Sequence, residues 1–132
     1  MTELDLSTSS LASVLVELVS RVPGASHAVL ASVEGEPIAV SNGLPTQRAE
    51  QLASVGTGLL SIAHGAGRCI DVGVPQQAVV EMAAGVLMAT PVSGAMSLTV
   101  LAVSDCDREQ LGYEVAEFTD SIAPMLDART TP

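Results

Sequence analysis

Two histidines, two cysteines and a scatter of acids and hydroxyls are the groups in this chain with chemical potential, and lysine is missing altogether. A Walker A loop needs lysine to reach the β- and γ-phosphates, so that loop is excluded, as is any Schiff-base lysine. Gly56-Thr57-Gly58 is locally glycine-rich, but it falls inside a helical pattern rather than between a strand and a helix. Metal sites need converging His, Cys or carboxylate groups. His27 reads as part of the first strand and His64 as part of the middle helix, and each stands alone. Cys69 and Cys106 form neither a CxxC nor a metal-ligand spacing; both read as small buried hydrophobes. Asp105 and Asp107 have the look of an acid–base pair, yet they stand just before a helix, where capping and interaction with its dipole explain them better. No G-x-S-x-G nucleophile elbow occurs, and Ser61 and Ser104 have no base close by in sequence. Met82, Met88, Met96 and Met125 fit strand and helix core positions rather than a cofactor pocket. The expectation is a protein that is not an enzyme and uses no cofactor and no metal.

Composition narrows the partners. The chain has 132 residues, 48% of them hydrophobic, with one Tyr, one Phe and a formal charge of −10. That length suits one domain with its own core, which aliphatic side chains must fill. The cations Arg21, Arg48, Arg68, Arg108 and Arg129 are scattered. Binding to nucleic acid relies on clustered cations and aromatic platforms, so it is not expected, and an anionic membrane would repel the chain. A charge-steered partner should present a basic face. The acidic, polar start MTELDLSTSS lacks the features of a signal peptide. No apolar run of about 18 residues suggests a membrane span. Two unpaired thiols fit a cytoplasmic protein.

The elements follow from periodicity. Residues 1–8 read as a loose tail. A helix capped at Ser10 carries Leu11, Val14, Leu15, Leu18, Val19 and Val22 on one face and ends at Pro23-Gly24. Strands at Ser26–Glu34 and Pro37–Ser41 are joined by a tight turn with Gly35 at its first central position; Pro37 places the second strand at an edge. A long helix runs from Pro45 or Thr46 to about Ala66, closed by Gly65 and Gly67. Cys69–Val74 is ambiguous between strand and loop. Three strands follow near Gln76–Ala83, Gly85–Val92 and Ser97–Ser104, with short connectors that imply antiparallel neighbours. Asp107 and Gln110 mark the start of a last helix bearing Leu111, Val115, Phe118, Ile122 and Met125; Pro124 should kink or end it. Residues 128–132 read as a second tail, leaving 9–127 as the domain. Gly85–Ala89 and Leu98–Val103 are apolar on both alternating sets, as strands covered on both faces are. The expected class is therefore α/β (α+β): an antiparallel meander between helices, in the order α-β-β-α-β-β-β-α, without internal repeats.

The middle helix is apolar on too many sides. Ala49, Leu52, Ala53, Gly56, Leu59, Leu60 and Ala63 suffice to pack on a sheet. A second stripe of Val55, Gly58, Ile62 and Ala66 remains. Gly56 and Gly58 each cost about 1 kcal/mol in a helix interior, which is tolerated where another backbone approaches closely. Either the helix is buried deep within its own domain, or the outer stripe packs on a second chain. A three-layer domain of this size has little material left to cover it, which favours a homodimer with the two middle helices in contact.

In their order and spacing, the stretches Arg21–Ala39 (RVPGASHAVLASVEGEPIA), Glu50–Arg68 (EQLASVGTGLLSIAHGAGR), Gln77–Thr90 (QAVVEMAAGVLMAT), LTVLAV and Leu111–Phe118 (LGYEVAEF) resemble the roadblock / dynein light chain family, especially its small actinobacterial members. The resemblance spans roughly residues 9–126. It implies a roadblock/profilin-like fold: a five-stranded antiparallel sheet with one long helix on one face and the terminal helices on the other. It also implies homodimers whose middle helices pack together and whose edge strands may join, which brings in Val79 and Glu81 beside Val55, Gly58, Ile62 and Ala66. Family members bind Ras-like small GTPases without donating a catalytic residue. Similar actinobacterial proteins share operons with a sensor histidine kinase, a further small protein and a Ras-like GTPase, so those products are expected partners and recruitment to the membrane by one of them stays open. The sequence departs from the family at Glu34-Gly35, where Asp-Gly is usual, and at Pro124. The alternative is a small-molecule sensor module of PAS or profilin-like type, which requires a cavity with polar groups inside.

Overall fold

The computed structural model describes residues 8–130, with side chains described for residues 10–126. The elements are α1 (Thr8–Arg21), β1 (Ala25–Ser32), β2 (Pro37–Val40), α2 (Thr46–Cys69), β3 (Ala78–Met82), β4 (Gly85–Ser93), β5 (Met96–Ala102) and α3 (Arg108–Thr130). The expected α+β order is the observed one. The tail expected over 1–8 lies outside the described residues except for Thr8. α3 runs through residues 128–130, which the sequence reading placed in the second tail.

All strands pair antiparallel, in the order β2-β1-β5-β4-β3. Only β3, β4 and β5 form a consecutive meander. β1 joins β5 through pairs such as Ala28↔Val100 and Leu30↔Leu98, so the β1–β2 hairpin extends the meander instead of starting it. β2 lies at one edge, as Pro37 required, and β3 at the other.

The two faces of the sheet are filled differently. On one, Leu11, Leu15 and Leu18 of α1 and Leu111, Val115, Phe118, Ile122 and Leu126 of α3 bury against Leu30, Met88, Leu98 and Val100. The heptad-like spacing continues to Leu126; Met125, expected inside, is 41% exposed. On the other face α2 rests on small groups: Ala49 and Ala53 meet Val29 and Ala31, and Leu60 meets Leu87 and Ala89. Pairing with Ala31 and Val29 turns Ser97 and Thr99 towards α2, so β5 is not wholly apolar on both faces. Gly56 explains this choice. A Cβ at that position would lie 1.8 Å from Thr99 Oγ1 and 2.9 Å from Thr99 Cβ, so only a glycine lets the helix come so close.

Element ends correct several expectations. α1 begins at Thr8, placing Ser10 in its first turn rather than at its cap. The β1–β2 turn is closed by Gly35 N–H donating to Ser32 C=O at 3.0 Å, with Gly35 at φ +86°. Val33 and Glu34 are therefore the central residues and Gly35 follows them, as in a three-residue loop with a left-handed closing position. α2 passes Gly65 and Gly67 and ends at Cys69. Asp71 adopts φ +55°, and Val72 N–H donates to Gly67 C=O at 3.0 Å, which is a Schellman ending with aspartate in the position usually held by glycine. Asp107 caps α3 as expected: its Oδ1 accepts from Gln110 N–H at 3.0 Å. Pro124 lies inside α3 and does not end it; its exposed position near the helix end leaves the carbonyl it cannot bond open to water.

Candidate functional site

The groups with chemical potential stay apart. Cys69 is exposed at the end of α2, contrary to the buried role expected, because the helix extends that far; Cys106 is half-buried and packs on the α1/α3 core. Met88 is buried and Met96 packs on that core, whereas Met82 is 47% exposed at the end of edge strand β3. Among the described residues no three His, Cys, Asp or Glu side chains converge as metal ligands. No described helix is long and apolar enough to cross a membrane.

The structure instead presents an apolar surface on α2. Its inward positions Ala49, Ala53, Gly56, Leu60 and Gly67 are buried. The opposite side carries Val55, 49% exposed, and Ile62, 73% exposed. Gly58 and Ala66 are also exposed, and a Cβ on Gly58 would have no atom of the chain within 4 Å. The spacing 55, 58, 62, 66 keeps these positions on one helix face. Directly after the cap, Ile70, Val72 and Val74 are 67%, 70% and 71% exposed. Their alternation was present in the ambiguous Cys69–Val74 stretch, but without knowledge of the Asp71 cap it read equally well as a strand. Contiguous exposed aliphatics of this kind mark interaction surfaces.

Val79 and Glu81 are placed elsewhere. Their register partners Met88 and Val86 put both side chains on the α1/α3 side of the sheet, and Glu81 forms an ion pair with Arg108 of α3. They do not share a face with Val55, Gly58, Ile62 and Ala66. What β3 offers is its backbone edge, since it pairs with β4 alone.

A sheet of this topology, with one long helix opposite a terminal pair, is that of a roadblock-type α+β domain. The Roadblock/LC7 domain profile matches residues 11–102, and the chain belongs to that family. A crystal structure of a Roadblock/LC7 domain from Streptomyces avermitilis superposes with a TM-score of 0.82 at 35% identity, covering 87% of this chain and 96% of that one. A second structure of a Roadblock/LC7 domain from the same organism gives 0.70 at 29% identity, covering 85% and 97%. Myxococcus xanthus MglB shares the fold, with a TM-score of 0.84 at 14% identity over 100% of this chain and 98% of that one. Comparison with curated protein sequences gave no significant match.

Proposed function

We propose that this chain is a non-catalytic, homodimeric regulator or scaffold that binds a Ras-like small GTPase in a bacterial signalling system. The observation that carries the reading is the exposed stripe Val55–Gly58–Ile62–Ala66 on a helix whose other side is already seated on the sheet. Full burial of a Val or Ile side chain is worth about 1.5–3 kcal/mol. In a two-fold interface each such contribution occurs twice. Family membership supports the GTPase as partner, and the charge of −10 favours a basic surface on it. The likeness to Streptomyces domains supports an actinobacterial setting, in which a sensor histidine kinase and other products of the same operon are further partners and one of them brings the otherwise cytoplasmic protein to the membrane.

Sedimentation over a micromolar concentration series tests the assembly. A dimer is expected for the natural chain, and Gly58→Leu should weaken or abolish it by placing bulk where the paired helices meet. Unchanged dimerisation in that variant rules out close helix contact at Gly58. Binding of the neighbouring Ras-like GTPase, loaded with GDP or with a non-hydrolysable GTP analogue, tests the regulatory role. A regulator must bind the two states with different affinity; equal affinities reduce the chain to a passive scaffold.

A further inference from the structure

A second feature of α2 lies on its flank and has no part in the apolar stripe. Between the helix and the β4–β5 hairpin runs a groove of about 390 Å³. Its apolar lining includes Leu60, Val74, Pro91 and Met96, and Thr57, Ser61 and Ser97 bring hydroxyls to it. Two of these hydroxyls are anomalous. Thr57 Oγ1 and Ser97 Oγ are buried and have no hydrogen-bond partner among the described residues; Ser97 as a whole is only 7% exposed. Buried polar groups are nearly always paired, and an unpaired hydroxyl destabilises a fold, so a pair of them at one groove needs a reason.

The lining also limits what can satisfy them. It contains no Asp, Glu, Lys or Arg, and His64 is its one titratable side chain. A buried ion would find no opposite charge there. The volume falls at the lower end of the range for small-molecule sites, about 300–1,000 Å³, which are mostly apolar with a few convergent polar groups. We propose that this groove binds a small uncharged amphipathic molecule, its apolar body on Leu60, Val74, Pro91 and Met96 and its hydroxyl or carbonyl end hydrogen-bonded to Thr57 and Ser97. This is the polar-lined cavity that the sensor reading of the sequence required. The inference stands independently of the GTPase partner and of dimerisation.

The test uses 1-octanol as probe, titrated into the full-length ¹⁵N-labelled chain at fixed protein concentration. Saturable shifts are expected at the amides of Thr57, Ser61, His64 and Ser97. Ser61 is exposed on the rim, so Ser61→Trp fills the groove mouth without entering the core and should abolish the response while the thermal melt stays unchanged. Ser97→Ala should retain binding but weaken it about three- to ten-fold, the effect of one lost hydrogen bond. Shifts that fail to saturate, that map to Val55 and Ile62 instead, or that survive Ser61→Trp overturn the proposal. So does a groove response that follows protein concentration rather than octanol, because a second copy then occupies the site. None of these readings depends on GTPase binding, which is measured separately.

Discussion

Replacing Gly56 with alanine tests the seating of α2 on the sheet. In isolation the change favours the helix by about 1 kcal/mol. Against that, the new methyl would sit 1.8 Å from Thr99 Oγ1, 2.9 Å from Thr99 Cβ and 3.1 Å from Thr99 Cγ2. Rotating the threonine moves its oxygen away but leaves Cβ in place, because Thr99 belongs to β5 and is held between Val29 of β1 and Ala89 of β4. The helix must lift or the strand must bend. Overpacking of this kind costs about 3 kcal/mol at the upper end of its usual range. Gly56→Ala should therefore destabilise the chain by about 2 kcal/mol, or about 6–8 °C in Tm for a domain of this size. Urea denaturation followed by circular dichroism measures it, at one protein concentration for all variants because self-association shifts apparent stability. Thr99→Ala removes the two outer atoms of the clash, so the double variant should recover most of the loss, and the two changes should couple strongly. Gly56→Ala at or above the stability of the natural chain, or strict additivity with Thr99→Ala, would refute the close approach as the reason for glycine.

Three further outcomes follow from the same geometry. Gly58→Ala meets no atom within 4 Å, so under dissociating conditions it should stabilise the subunit by about 1 kcal/mol, a sign opposite to that of Gly56→Ala in the same denaturation assay. Gly67→Ala would place a methyl 2.0 Å from the Gly73 carbonyl oxygen, so it should loosen the Schellman ending, seen as faster hydrogen exchange at Val72 and earlier proteolysis in residues 70–77. Asp107→Ala removes the cap on Gln110 N–H and should cost about 1 kcal/mol, whereas Asp107→Asn should retain most of it; equal losses in both would point to charge rather than capping.

Local patterns carried the elements well and the contacts between them poorly. The face of α1 and the first four core positions of α3 were readable because each is a run of aliphatics at helical spacing beside a turn signal. Leu126 was missed for Met125 because both are apolar and one step of helical phase separates them. The second stripe of α2 was legible since excess apolar residues on a helix are visible without knowing what the helix packs on. The Asp71 cap was hidden because aspartate seldom takes a left-handed conformation and glycine stood nearby to claim the role. The hydroxyls of Ser97 and Thr99 looked unremarkable inside LTVLAV, and only the register reveals that both face α2 across from Gly56. The side of the sheet taken by Val79 and Glu81 depends on the same register, which short alternating strands do not announce.

The partnership of β1 with β5 also has a consequence for biosynthesis. β1 can form its hairpin with β2 as soon as those residues leave the ribosome, but its inner neighbour spans Met96–Ala102. Until most of the polypeptide has been made, the amides and carbonyls of Ala28–Ala31 therefore lack half of their final hydrogen bonds. The centre of the sheet is closed late by a long-range pairing whose loop-closure entropy must be met first. In the nascent protein this segment is an open strand edge, and sheltering it before β5 arrives is a task for chaperones or for speed of synthesis.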